Sequence, residues 1–130
     1  MTEPTRILIM TVGRGSPPLG LAEPLLQSIE AVDPQRIVFV CTATSQRESI
    51  EPLLKIAADR LAPIPHQIEL IEEGDRINLD AMFDQVVRIM DKVVEAHADA
   101  EMHIDFTGGS KPMSAALVHA AMSRTAAFAH

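Results

Sequence analysis

Four short runs rich in apolar residues, near 6–11, 36–42, 66–71 and 101–106, punctuate the chain, and longer stretches of a different rhythm separate them. The first two runs and the last have no sustained polar alternation, which predicts strands buried on both faces; the third alternates and predicts a strand with one wetter face. Between them, apolar residues recur at 21, 22, 25, 26, 29 and 32, then at 50, 53, 54, 57, 58 and 61, and then at 79, 82, 83, 86, 89, 90, 93 and 94. A fourth set, Met113, Ala116, Leu117, Ala120 and Ala121, follows the last run. Spacings of three and four residues predict one helix per set, each with a single apolar stripe. Met82 and Met90 belong to the third stripe and are expected in the core.

Local chemistry refines the boundaries. Pro24 falls where the first turn of a helix tolerates it. Ser45 and Glu48 have the spacing of a capping box, and Pro52 predicts that the second helix starts as late as Ser49. Asn78 is placed to cap the third helix. Residues 125–130 look like the beginning of a fifth strand that stops short, as in a domain cut from a longer protein. Four strand-then-helix units predict a Rossmann-like α/β fold, a doubly wound, mostly parallel sheet with helices on both faces. Ligands of such sheets sit beyond the carboxyl ends of the strands. Residues 12–16, 42–45, 107–111 and the loop from 72 all leave from that edge.

Composition narrows the partners. The chain has 130 residues, 47% of them hydrophobic and 22% charged, which fits one folded domain with a real core. No apolar run reaches the roughly 18 residues of a membrane span, and 7–10 is too short for a signal peptide core. Cys41, the single cysteine, excludes an internal disulfide, fits a cytoplasmic protein and reads as a small core residue. A net charge of −7 argues against a surface that tracks long DNA or RNA. With no Trp, no Tyr and four Phe, aromatic stacking is not the main recognition mode. The five histidines show no metal-ligand spacing, and no metal or cofactor is expected.

The chemistry concentrates in Asp105-Phe106-Thr107-Gly108-Gly109-Ser110-Lys111-Pro112-Met113-Ser114. Adjacent glycines let a ligand approach bare amides, and Pro112 suits the first turn of a helix. Free N–H groups at that helix start, with the helix dipole and the charge of Lys111, make a cradle for phosphate. The pattern is neither a P-loop nor the dinucleotide fingerprint, because the glycine spacings differ. Taken alone, it serves equally as an ordinary strand-to-helix turn with a solvated lysine. Gly13, Arg14, Gly15 and Ser16 form a second glycine turn after the first strand; it reads either as a second anion site or as a flexible loop.

The run from Asp105 to Leu117 resembles the D-[FY]-T-G-G-x-K-x-M-S-x-A-L signature of CARF domains, the CRISPR-associated Rossmann-fold sensors. Thr11-Val12-Gly13 after the first strand resembles that family's first motif, and the stretch from Thr42 to Ser45, Thr44 included, also fits after the second strand. The resemblance covers nearly the whole chain. It implies a homodimer that binds a cyclic oligoadenylate, of four or six units, made by type III CRISPR complexes in antiviral defence. It also implies roles. Gly108, Gly109 and Ser110 offer amides to phosphate, Lys111 supplies charge, and Thr107 bonds ribose. Gly13, Arg14, Gly15 and Ser16 line the opposite wall, with Arg14 reaching phosphate or ribose. Met113 belongs to the same motif, adenine is read by Thr42, Thr44 or Asn78, and Asp105 orients the turn. Family members commonly carry an effector behind the sensor, and some cleave the ring slowly without metal through a ribose 2′-hydroxyl. A sensor domain, a stand-alone ring nuclease and an unrelated nucleotide-binding domain are therefore the three functional expectations. No His, Glu or Asp lies within either glycine turn to act as acid or base, so cleavage is expected to be slow or absent.

Overall fold

The computed structural model of the chain describes residues 5–13, 22–72, 79–108, 111–122 and 128–129. Its strands are β1 (Arg6–Val12), β2 (Arg36–Cys41), β3 (His66–Leu70), β4 (Glu101–Gly108) and β5 (Phe128–Ala129), and they form one sheet in the order β3-β2-β1-β4-β5. Every pairing is parallel. The helices are α1 (Ala22–Val32), α2 (Ala43–Ser45), α3 (Glu51–Ile56), α4 (Ala58–Leu61), α5 (Leu79–Ala96) and α6 (Lys111–Met122), with a π turn (Gln46–Ile50) joining α2 to α3.

The alternation of side chains along β1 and β2 divides the core into two layers. Ile7, Ile9, Val38 and Val40 point into one, which α5 and α6 close with Val86, Met90, Val93, Met113, Leu117 and Ala121. Leu8, Met10, Val12, Ile37, Phe39 and Cys41 point into the other, which α1, α3 and α4 close with Leu25, Ile29, Leu53 and Leu61. Both central strands are apolar on both faces because helices cover both faces. The sheet is the expected doubly wound α/β arrangement.

Four expectations need correction. Residues 43–56 are helical throughout, so Pro52 does not postpone the start. A proline ring clashes with the carbonyl four residues back; the π turn, with one more residue per loop of chain, ends just ahead of Pro52 and widens the helix there. The capping box is formed by Thr42 and Ser45 instead of Ser45 and Glu48. Ser45 N donates to Thr42 Oγ1 at 3.1 Å and Thr42 N donates to Ser45 Oγ at 2.9 Å. Third, β4 runs two residues beyond the expected end. Fourth, β4 is not buried on both faces: Met102 is buried, but Glu101, His103, Ile104 and Asp105 are partly exposed. One side of β4 is polar, and there His103 Nε2 lies 2.7 Å from Glu101 Oε1.

At the sheet's far edge, β3 carries Gln67 and Glu69 on one face and Ile68, packed against the second core layer, on the other. Gln67 Nε2 donates to Glu69 Oε1 at 3.1 Å, and Lys92 Nζ reaches the same oxygen at 2.8 Å. Polar side chains of this kind discourage a further strand from pairing at an open edge. The pairing of β5 with β4 at Met102↔Phe128 and His103↔Ala129 gives the expected fifth strand two described residues.

Candidate ligand site at the carboxyl edge of the sheet

Strand register gathers the site. Val12 pairs with Cys41 on one side and Gly108 on the other, so three adjacent strands end level with one another. Gly13 and Thr42 are the next residues along two of those chains, and Thr107 and Gly108 close the third. The edge therefore brings Gly13, Thr42, Thr107 and Gly108 together. Thr44 stands partly buried in α2 just beyond. Arg14, Gly15, Ser16, Asn78, Gly109 and Ser110 lie outside the described residues.

β4 carries a bulge near its end. Met10 pairs with Asp105 but Val12 pairs with Gly108, so β4 carries one more residue than β1 over this interval. Bulges bend a strand and re-aim its side chains, and here Phe106 is 49% exposed. Its carbonyl accepts a hydrogen bond from Ser114 Oγ at 2.5 Å. Ser114 is in the first turn of α6, so the helix start is tied back to the strand it follows. One carboxylate oxygen of Asp105 is buried below the turn, and Thr11 Oγ1 makes a long 3.5 Å contact to the Asp105 carbonyl.

Helix α6 begins at Lys111 with Pro112 second, the order the sequence predicts, and has no acidic residue in its first turn. A helix N-terminus carries a partial positive charge. Lys111 itself is exposed there. Met113 is different: it is 3% exposed and packs into the core layer under α6, where it seats the helix. It offers no surface to a ligand, because position 113 falls on the buried stripe with Ala116 and Leu117.

Two nearby groups have roles of other kinds. Cys41 is fully buried, and that burial pushes its thiol from 9.0 up to about 11, so it stays protonated at neutral pH and is no nucleophile. Thr42 and Ser45 satisfy each other, which leaves the end of β2 fixed in position. Sequence reasoning missed Ser49. Fully buried on the π turn, it donates from Oγ to the carbonyl of Gly13 at 2.8 Å. A lone serine beside an apolar stripe was its only signal. Among the described residues, no group of three or more His, Cys, Asp or Glu is placed to hold a metal ion, and no helix is long and apolar enough to cross a membrane.

No family model matches the chain, and no curated protein matches it by sequence. Solved structures do match by shape. Csm6 of Enterococcus italicus, bound to cyclic hexa-2′-fluoro-hexa-dAMP, superposes over 97% of this chain with a TM-score of 0.79 and 16% identity. Protein VC1899 of Vibrio cholerae superposes over 92% with a TM-score of 0.70 and 14% identity. The chain spans 33% and 28% of the lengths of those two proteins. At such identities the likeness shows the fold alone, a Rossmann-like, doubly wound parallel sheet with helices on both faces.

Proposed function

We propose that the chain is a ligand-sensing domain that binds a cyclic oligoadenylate at the carboxyl edge of its sheet. The observation that carries this reading is the level ending of β1, β2 and β4 beside the start of α6. The level strand ends bring Gly13, Thr42 and Gly108 to one edge, and α6 starts there at Lys111, in a fold shared with a protein solved with a cyclic adenylate ring, which supports this reading. Phosphate would meet the amides and charge at the start of α6, with Gly109 and Ser110 contributing amides. Ribose and adenine would meet Thr107, Thr42 and Thr44. Gly13, Arg14, Gly15 and Ser16 would form the opposite wall.

A ring of four or six phosphates exceeds what one copy offers in cations, Lys111 and Arg14. Two copies related by a dyad through this edge would present four. The sensor would thus act as a homodimer in the cytoplasm, in an antiviral response of the type III CRISPR kind, passing occupancy of the ring to an effector. Cleavage of the ring would rest on alignment of a 2′-hydroxyl and charge stabilisation alone, and we expect it to be slow or absent.

Calorimetric titration with cyclic tetra- and hexa-adenylate tests the reading. One ring per two chains, with no linear product on prolonged incubation, is the expected result. Binding of ATP or NAD without binding of either ring would overturn it. Rapid multiple-turnover cleavage would make the protein a ring nuclease instead of a sensor.

A further inference from the structure

The Gly13 wall of the site is held from a distance. Gly13 directly follows β1, yet its carbonyl is engaged by Ser49, thirty-six residues later on another element. In a regular α-helix every step of four residues turns the facing direction by about 40°. Ser45, Ser49 and Leu53 follow such steps and are all buried. The π turn, closed by the bond from Glu51 N–H to Gln46 O, fits more residues into the turn and offsets this drift. It keeps Ser49 aimed at the strand end while Leu53 stays in the core.

Thr42 and Ser45 fix the neighbouring strand end in the same helical segment, so residues 42–49 brace two of the three strand ends that surround the site.

We propose that Ser49 is a positioning residue of the ligand site: it holds Gly13, the residue with which that wall of the site begins, and so pre-orders Gly13 for a phosphodiester ring. The binding half of this inference rests on the function proposed above; the ordering half does not. Pre-ordered donors bind more tightly because less freedom is lost on association.

The test uses the full chain in three forms, wild type, Ser49→Ala and Ile89→Val. The last is a small core trim under α5, on the far side of the sheet, that lowers stability without touching this edge. Amide exchange is followed by mass spectrometry on a peptide covering Gly13 and on one covering β2, without ligand. Titration with cyclic tetra- and hexa-adenylate follows. We expect Ser49→Ala to speed exchange at Gly13 about tenfold while β2 stays protected, and to weaken ring binding about five- to tenfold. Ile89→Val should change neither. Unchanged exchange at Gly13 in Ser49→Ala overturns the proposal whether or not a ring binds. Faster exchange with wild-type affinity also overturns it, since Ser49 would then order Gly13 without serving the site. If wild type binds no ring, the ligand reading fails and the exchange result still decides the anchor.

Discussion

Of the strand ends that meet at the carboxyl edge of this sheet, those of β4 and β1 are held in different ways. The end of β4 is secured by its own following helix: Ser114 in the first turn of α6 reaches back to the Phe106 carbonyl, eight residues earlier. The end of β1 is secured by Ser49, which belongs to a helix beyond the next strand. The first arrangement is local and carries its own cation, Lys111, at a helix start. The second depends on packing between elements distant in sequence. A locally closed turn keeps its shape through modest changes elsewhere, whereas a remotely braced one moves with the helix that braces it. For the site proposed above, we therefore expect the Lys111 side to supply the larger share of ligand affinity.

The largest effect that can break this comparison is on the β4 side. A charge-assisted contact to phosphate contributes roughly 1.5–3 kcal/mol, so Lys111→Ala should weaken ring binding by roughly 10- to 150-fold per contact. Arg14→Ala, on the β1 side, should cost less. Titration of the two variants against wild type compares the walls directly, and equal losses would erase the asymmetry.

Cys41 is the last residue of β2 and pairs with Val12, the last residue of β1. Its thiol titrates at about 11 in the folded chain against 9.0 ordinarily. The folded state thus favours the protonated form. That contribution is intact below about pH 9 and is lost as pH rises through about 11. Its full size is about 2–3 kcal/mol. Urea denaturation at pH 8 and pH 10.5 should show a loss in wild type that shrinks in Cys41→Ala, with ring affinity at pH 8 the same in both.

A smaller effect sharpens the local side. Ser114→Ala removes the bond to Phe106 and should lower stability by about 1 kcal/mol, read from the urea midpoint. Lys55→Ala, on α3 away from the edge, should leave affinity unchanged. Any loss there of the size seen for Lys111→Ala would mean that long-range charge, and not the turn, governs binding.

The contrast also accounts for what the sequence disclosed. β1 and β2 were legible because helices cover both their faces, which demands unbroken apolar runs at 7–10 and 37–41. The α6 start was legible because proline, lysine and adjacent glycines each have a preferred place at a helix terminus. The second helix was misjudged since Pro52 ordinarily marks a boundary, and only a π turn, which leaves no residue pattern of its own, carries the helix past it. The extra residue in β4 is a register effect set by its partner β1, so no reading of residues 101–108 alone reveals it. Met113 was drawn into the site by its place in the glycine-lysine motif, although its helical spacing with Ala116 and Leu117 already put it in the core. Ser49 escaped notice because its partner lies thirty-six residues away.

The central claim is that a cyclic oligoadenylate binds where β1, β2 and β4 end. The chain also has a groove between α1 and α3–α4, about 370 Å³ in volume and lined by Leu26, Gln27, Leu53, Ile56 and Arg60, which offers a ligand another place to lodge. A crystal structure of the protein with cyclic hexa-adenylate decides between them. We expect two chains about a dyad, with ring phosphates within hydrogen-bond distance of the Lys111 side chain and the amides at the start of α6. A ring seated in the α1–α3 groove, or held by one chain away from Gly13 and Gly108, would contradict it.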